Sequence, residues 1–123
     1  MRTVMETIHR IIHDPKLPIN CFTFGYLARF IGIIERKVDR GIVICGTGIG
    51  ISIAANRYKN IRATLCNTKE HAEMARKHND SNVLALGGRT TSLNDLKNII
   101  DVWLNTDFEG GRHQNRIDLI EKI

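Results

Sequence analysis

The sequence has no long apolar run, few aromatic rings and little cysteine, and each shortage removes a class of protein. Apolar stretches such as residues 30–34 and 42–44 fall far short of the roughly 20 residues needed to cross a bilayer, so no membrane span is expected. Residues 1–13 interleave Arg2, Glu6, His9 and Arg10 with hydrophobes, unlike the unbroken apolar core of a secretory signal, and a cytoplasmic protein is expected. The three cysteines, Cys21, Cys45 and Cys66, cannot all pair within one chain and form no Cys-x-x-Cys unit. That argues against a disulfide scaffold or a zinc knuckle and leaves reduced thiols as the expectation. Only 6% of residues are aromatic and the basic residues are spread along the chain, so the net charge of +5 does not read as a nucleic-acid surface. It favours anionic partners in general. With 123 residues, a single domain with one core is expected.

What is present is an alternation of helical and strand-like periodicity. Val4, Met5, Ile8, Ile11 and Ile12 recur at helical spacing and stop before Asp14-Pro15. Residues 17–24 alternate apolar with small or polar groups, which suggests an edge strand because Pro18 lacks an N–H. Leu27, Phe30, Ile31, Ile34 and Val38 trace a second helix. Strands are then expected over residues 41–45, 61–66 and 82–86, each followed by a helix. Asn67, three residues before Glu70, is the expected cap of the middle one. Leu93, Leu96, Ile99, Ile100, Trp103 and Leu104 mark the apolar stripe of the next, and a last helix follows Gly110-Gly111. This order predicts an α/β fold, a Rossmann-like three-layer α/β/α sandwich on a parallel sheet. Ligands in such folds bind at the carboxyl ends of the strands, here Cys45-Gly46-Thr47, Cys66-Asn67 and Gly87-Gly88-Arg89.

The segment Cys45-Gly46-Thr47-Gly48-Ile49-Gly50 brings backbone N–H groups and a helix start directly after a strand. Its spacing departs from the dinucleotide fingerprint and no Lys-Ser or Lys-Thr pair makes it a Walker loop. Cys45 beside those donors reads either as a thiolate of lowered pKa able to take a proton or as a small hydrophobe filling the sheet. Cys21 and Cys66 precede no glycine loop and read as the latter. His9 and His13, with Glu6, share a helical face but supply no convincing third ligand, so no metal is expected. His71 reads as a solvated helix residue and Trp103 as core. His78 suits either proton transfer or a favourable contact with a helix carboxyl end. Arg112 and Arg116, four apart, are either a solvated helix face or a fork-like anion clamp.

Residues 41–56, together with Arg76-Lys77-His78-Asn79-Asp80, residues 82–89 and residues 109–116, resemble the ordered motifs of the type B ribose-5-phosphate isomerase and galactose-6-phosphate isomerase family. The resemblance runs from Val38 to the end, and residues 1–20 form an atypical N-terminal segment. It implies an aldose–ketose isomerase acting through an enediolate without metal or other cofactor, ribose 5-phosphate being the expected substrate. Cys45 would be the base and Thr47 would assist. The segment Gly46, Gly48, Ile49 and Gly50 would hold the enediolate oxygen, and His78 would open the sugar ring. Asn79, Arg89, Arg112 and Arg116 would bind substrate and phosphate, Arg89 joining the other two arginines, with His113 nearby. The resemblance implies a homodimer or higher homo-oligomer whose sites use two subunits. It leaves without counterpart the family's opening Gly-Cys-Asp-His-like segment and implies a sheet lacking the family's first two strands. A partner-dependent phosphosugar-binding subunit is the alternative expectation, and a truncated reading frame a third.

Overall fold

The computed structural model describes residues 39–123 in full and the backbone of residues 21–24. The helices expected before residue 39, the His9/His13 pair and the Cys21 side chain lie outside the described residues. The elements run β1 (Cys21–Phe24), β2 (Arg40–Cys45), α1 (Ile49–Ala55), β3 (Ala63–Leu65), α2 (Lys69–Asn79), β4 (Val83–Gly87), α3 (Leu93–Asn105) and α4 (Arg112–Glu121). The strands form one sheet in the order β1-β2-β4-β3, parallel throughout, with Ile42 opposite Leu84 and Cys45 opposite Gly87. β1 covers the free edge of β2, the role expected for residues 17–24.

Side chains alternate across a strand, so the β-branched run of β2 feeds both faces of the sheet. Ile42 and Ile44, with Leu84 and Leu86 of β4, meet Ala72 and Ala75 of α2 and Leu96, Ile99, Ile100 and Trp103 of α3. Val43, Val83 and Ala85 face the other way, onto Ile51 and Ala55 of α1 and onto Ile61. Helices therefore cover both faces, and the three-layer α/β/α architecture is the observed one. Burying each large aliphatic side chain stabilises the fold by about 1.5–3 kcal/mol. A charge also enters this core. Arg40 lies over the Trp103 ring at 5.5 Å and donates to the carbonyls of Trp103 and Leu104 at 3.0 and 2.9 Å, which closes the carboxyl end of α3.

Local chemistry sets the ends of the elements. α2 is capped by Thr68, whose hydroxyl accepts the His71 N–H at 3.1 Å, so the expected cap at Asn67 is displaced by one residue. Glu70 sits in the first turn, where the helix dipole favours a negative charge. The helix ends at Asp80, in the left-handed region at φ 44°, held by an ion pair with Arg76 at 2.9 Å. The strand expected over 61–66 shortens to three residues because the Asn82 and Asn56 side chains take over its leading end. The Asn82 amide oxygen accepts the Arg62 N–H at 2.7 Å, and Asn56 accepts from Ala63 N–H at 2.8 Å while donating to its carbonyl at 2.9 Å. An amide side chain thus occupies positions that a neighbouring strand would fill.

Candidate active site

Two clusters of polar groups form where helices meet the two rims of the sheet. At the carboxyl rim, Cys45 ends β2 and the chain turns at once through the glycine segment. Gly48 takes φ 79°, and a Cβ there would fall 2.5 Å from the Leu65 side chain and 2.8 Å from the Leu86 carbonyl carbon. Only glycine fits that position. The turn aims the Gly48 N–H at the Cys45 sulfur, 3.1 Å away. Burial alone would raise the thiol's pKa, but the N–H groups of Ile51, Gly48 and Thr47, with the Thr47 hydroxyl, outweigh it and leave Cys45 below the ordinary thiol value. Cys45 is only half-buried. Cys66 has no such donors; it is fully enclosed in the core and its thiol is pushed up to about 12 by burial.

The loop after β4 is zipped onto the same rim. Gly88 N–H donates to the Cys45 carbonyl at 2.9 Å and Arg89 N–H to the Gly46 carbonyl at 3.0 Å. The Arg89 side chain lies across Gly46, where an added Cβ would touch its guanidinium group at 3.5 Å. Cys45, Gly46, Thr47, Gly48, Ile49, Gly50 and Arg89 therefore share one rim: a thiol of lowered pKa, converging amide donors and an exposed cation.

The second cluster sits at the other end of the sheet. α2 runs antiparallel to the strands and returns through residues 80–82 to the start of β4, so His78 and Asn79 lie at the amino rim. Glu109 N–H donates to the Lys77 carbonyl at 3.1 Å and brings in the start of α4. The His113 ring, 6% exposed, stacks on His78 with centroids 4.3 Å apart and planes 13° from parallel. Its Nε2 is 3.7 Å from the Glu109 carboxylate, and its Nδ1 is buried with no hydrogen-bond partner. Burial lowers the His113 pKa, and the neighbouring His78, Arg112 and Arg116 lower it further against the opposing pull of Glu109. Arg112 and Arg116 are exposed, one turn apart on α4. His78, Glu109 and His113 place one possible metal-ligand atom each within 4.8 Å of one another. Stacked rings, however, point their lone pairs side by side rather than at a common centre, and the two arginines add positive charge, so the chemistry of this cluster suits an anion.

Strands rise about 3.3 Å per residue, so the five- and six-residue strands between the rims hold Cys45 and His78 well over 10 Å apart. Within one chain Arg89 lies at the carboxyl rim, with Cys45 and Gly46, while Arg112 and Arg116 lie with His113 and His78 at the other. An open cleft of about 770 Å³ beside β3, with Arg57, Lys59, Arg62 and Asn79 in its wall, touches the amino rim but does not reach Cys45. Sequence reading missed the stack of His113 on His78 and the role of Arg62 at this rim. Neither has a one-dimensional signature, because the partners lie 35 and 17 or more residues apart.

The chain is similar to known proteins over most of its length. A family model described as Ribose/Galactose Isomerase matches residues 27–120. Ribose-5-phosphate isomerase B of Escherichia coli (strain K12) is 53% identical over 87 residues, covering 71% of this chain and 58% of the relative. The putative sugar phosphate isomerase YwlF of Bacillus subtilis (strain 168) is 49% identical over 88 residues, 72% of this chain and 59% of the relative. The structure of Clostridium thermocellum ribose-5-phosphate isomerase B superposes with a TM-score of 0.74 at 49% identity, over 75% of this chain and 62% of the other. The type B enzyme of Trypanosoma cruzi gives 0.74 at 41% identity, over 75% and 62%. The chain thus spans less than two thirds of the length of these relatives. With most of its length matched by the family model, the chain belongs to the ribose/galactose isomerase family.

Proposed function

We propose that this chain is a single-domain aldose–ketose isomerase of phosphorylated sugars, with ribose 5-phosphate as its substrate and ribulose 5-phosphate as product. The observation that carries the reading is the half-buried Cys45 thiol, its pKa lowered by converging amides at the mouth of a glycine turn. The Cys45 thiolate takes the proton on the carbon next to the carbonyl. The resulting enediolate carries negative charge on oxygen, where the N–H groups of residues 46–50 and the Thr47 hydroxyl stabilise it in the developing state. The proton returns to the neighbouring carbon, which interconverts aldose and ketose with no net redox change. His78 transfers the protons that open the sugar ring, and Asn79 holds a hydroxyl beside it. Arg112 and Arg116 clamp the phosphate, with Arg89 fixing the sugar from the thiol side.

Because the two half-sites stand on opposite rims of one chain, the reading requires two chains: the carboxyl rim of one copy faces the amino rim of another in a homodimer. The same separation supports a second reading, in which the partner is a different family member and this chain binds phosphosugar as one subunit of a hetero-oligomer. Purified protein assayed with ribose 5-phosphate tests the choice. The first reading expects turnover that Cys45→Ala reduces by about 10²–10⁴-fold, the usual worth of a positioned base. Phosphosugar binding without turnover would leave only the second.

A further inference from the structure

Arg62, just ahead of β3, lies outside every residue that the proposed mechanism uses. Its Nε is 3.2 Å from the carbonyl oxygens of Asn79 and Asp80, and one terminal nitrogen donates to Asp80 at 3.0 Å. The other terminal nitrogen donates to the Glu121 carboxylate at 2.7 Å. One guanidinium group therefore holds the last turn of α2 and the last turn of α4 together. These two helices carry the amino-rim set: His78 and Asn79 on α2, Arg112 and Arg116 on α4.

α4 needs such a fastening. It buries only His113 and Ile117, leaving Leu119 and Ile120 exposed, so apolar packing alone holds it loosely. Its start is fixed by the His113 ring against His78 and its end by Glu121 on Arg62. A helix pinned at one end pivots; pinned at both, it keeps its axis and so the reach of its arginines. We infer that Arg62 is a positioning residue, locking α4 against the end of α2 so that the arginine pair and the His78–Asn79 pair meet one phosphosugar at a fixed separation. The inference rests on the reading of the amino rim as a phosphosugar half-site. Its expected signature is in substrate binding rather than in proton transfer at Cys45, because the clamp touches neither the thiol nor its amides.

Glu121→Gln tests this with the full chain, since it removes the carboxylate charge while leaving Arg62 on the α2 carbonyls. Calorimetric affinity for inorganic phosphate, KM and kcat for ribose 5-phosphate, and hydrogen exchange of residues 112–121 are the readouts. Phosphate affinity should weaken and KM rise by about three- to tenfold, kcat should stay within twofold, and exchange should quicken in α4 but not in α3. Arg62→Lys, which keeps the charge but cannot span both helices at once, should give the same pattern. Faster exchange in α4 with phosphate affinity and KM within twofold of the wild type would reduce Arg62 to a structural brace and overturn the inference, as would unchanged exchange. If the wild-type chain binds neither phosphate nor ribose 5-phosphate, the amino-rim reading fails and takes the clamp's function with it. Normal wild-type binding with unaltered variants sinks the clamp alone.

Discussion

A thiol acts as a base only as its anion, and the two fully described cysteines sit where that anion is moved in opposite directions. Amides facing Cys45 favour the thiolate; the dry core around Cys66 opposes it and pushes the thiol to about 12. The sign for reactivity follows directly. Alkylation proceeds through the thiolate, so a lowered pKa moves its onset to lower pH, and a raised one moves it beyond the working range. Treatment of the folded protein with iodoacetamide at neutral pH should therefore modify Cys45 and spare Cys66. The Cys45 rate should level off at a lower pH than that of a free thiol, near about 8.5. Peptide mass mapping across a pH series checks this, and equal labelling of the two would contradict the electrostatics assigned to the glycine turn. This much of the site was legible from the sequence, because Cys45 and its donors are neighbours along the chain. The burial of His113 was not, because it depends on α2 and α4 meeting across a fold that no local pattern encodes.

At the scale of elements, the glycines that read as one loop divide by geometry. Gly48 is held at φ 79° with no room for a methyl group, whereas Gly50 has nothing within 4 Å of its absent Cβ. Gly48→Ala should cost about 2–5 kcal/mol, combining the left-handed conformation with overpacking against Leu65 and the β4 backbone. Gly50→Ala, inside α1, should be neutral or stabilising by up to about 1 kcal/mol. Urea unfolding of the two variants separates them, and a Gly48→Ala loss as small as that of Gly50→Ala would mean that the turn can relax. The strands and helices themselves were readable, since apolar runs of period 2 and 3.6 alternate cleanly from residue 40 onward. Their ends were not. Thr68 and Asn67 are both good caps, and only the hydrogen bond to His71 decides between them. β3 is cut short by side chains 7 and 20 residues away, which no window over residues 61–66 contains.

The whole molecule poses the question that its parts leave open, because the base proposed at Cys45 on one rim and the ring-opening group proposed at His78 on the other cannot serve one sugar within a chain. The sequence places all these residues in family order but says nothing of which rim each occupies; that follows only from the parallel topology, which puts a strand end and a helix end at opposite edges. The proposed homodimer would resolve it, since a twofold contact is isologous and can set the carboxyl rim of each copy against the amino rim of the other. Complementation then becomes quantitative. Cys45→Ala and His78→Ala should each be inactive alone. Mixed in equal amounts under conditions that exchange subunits, half the dimers contain one chain of each kind. In those, one site combines the intact Cys45 of one chain with the intact His78 of the other, while the second site has lost both. Activity should return to about a quarter of the wild-type value by this statistical count for a twofold dimer. A site contained within one chain, or shared with a different protein, would give no recovery at any mixing ratio.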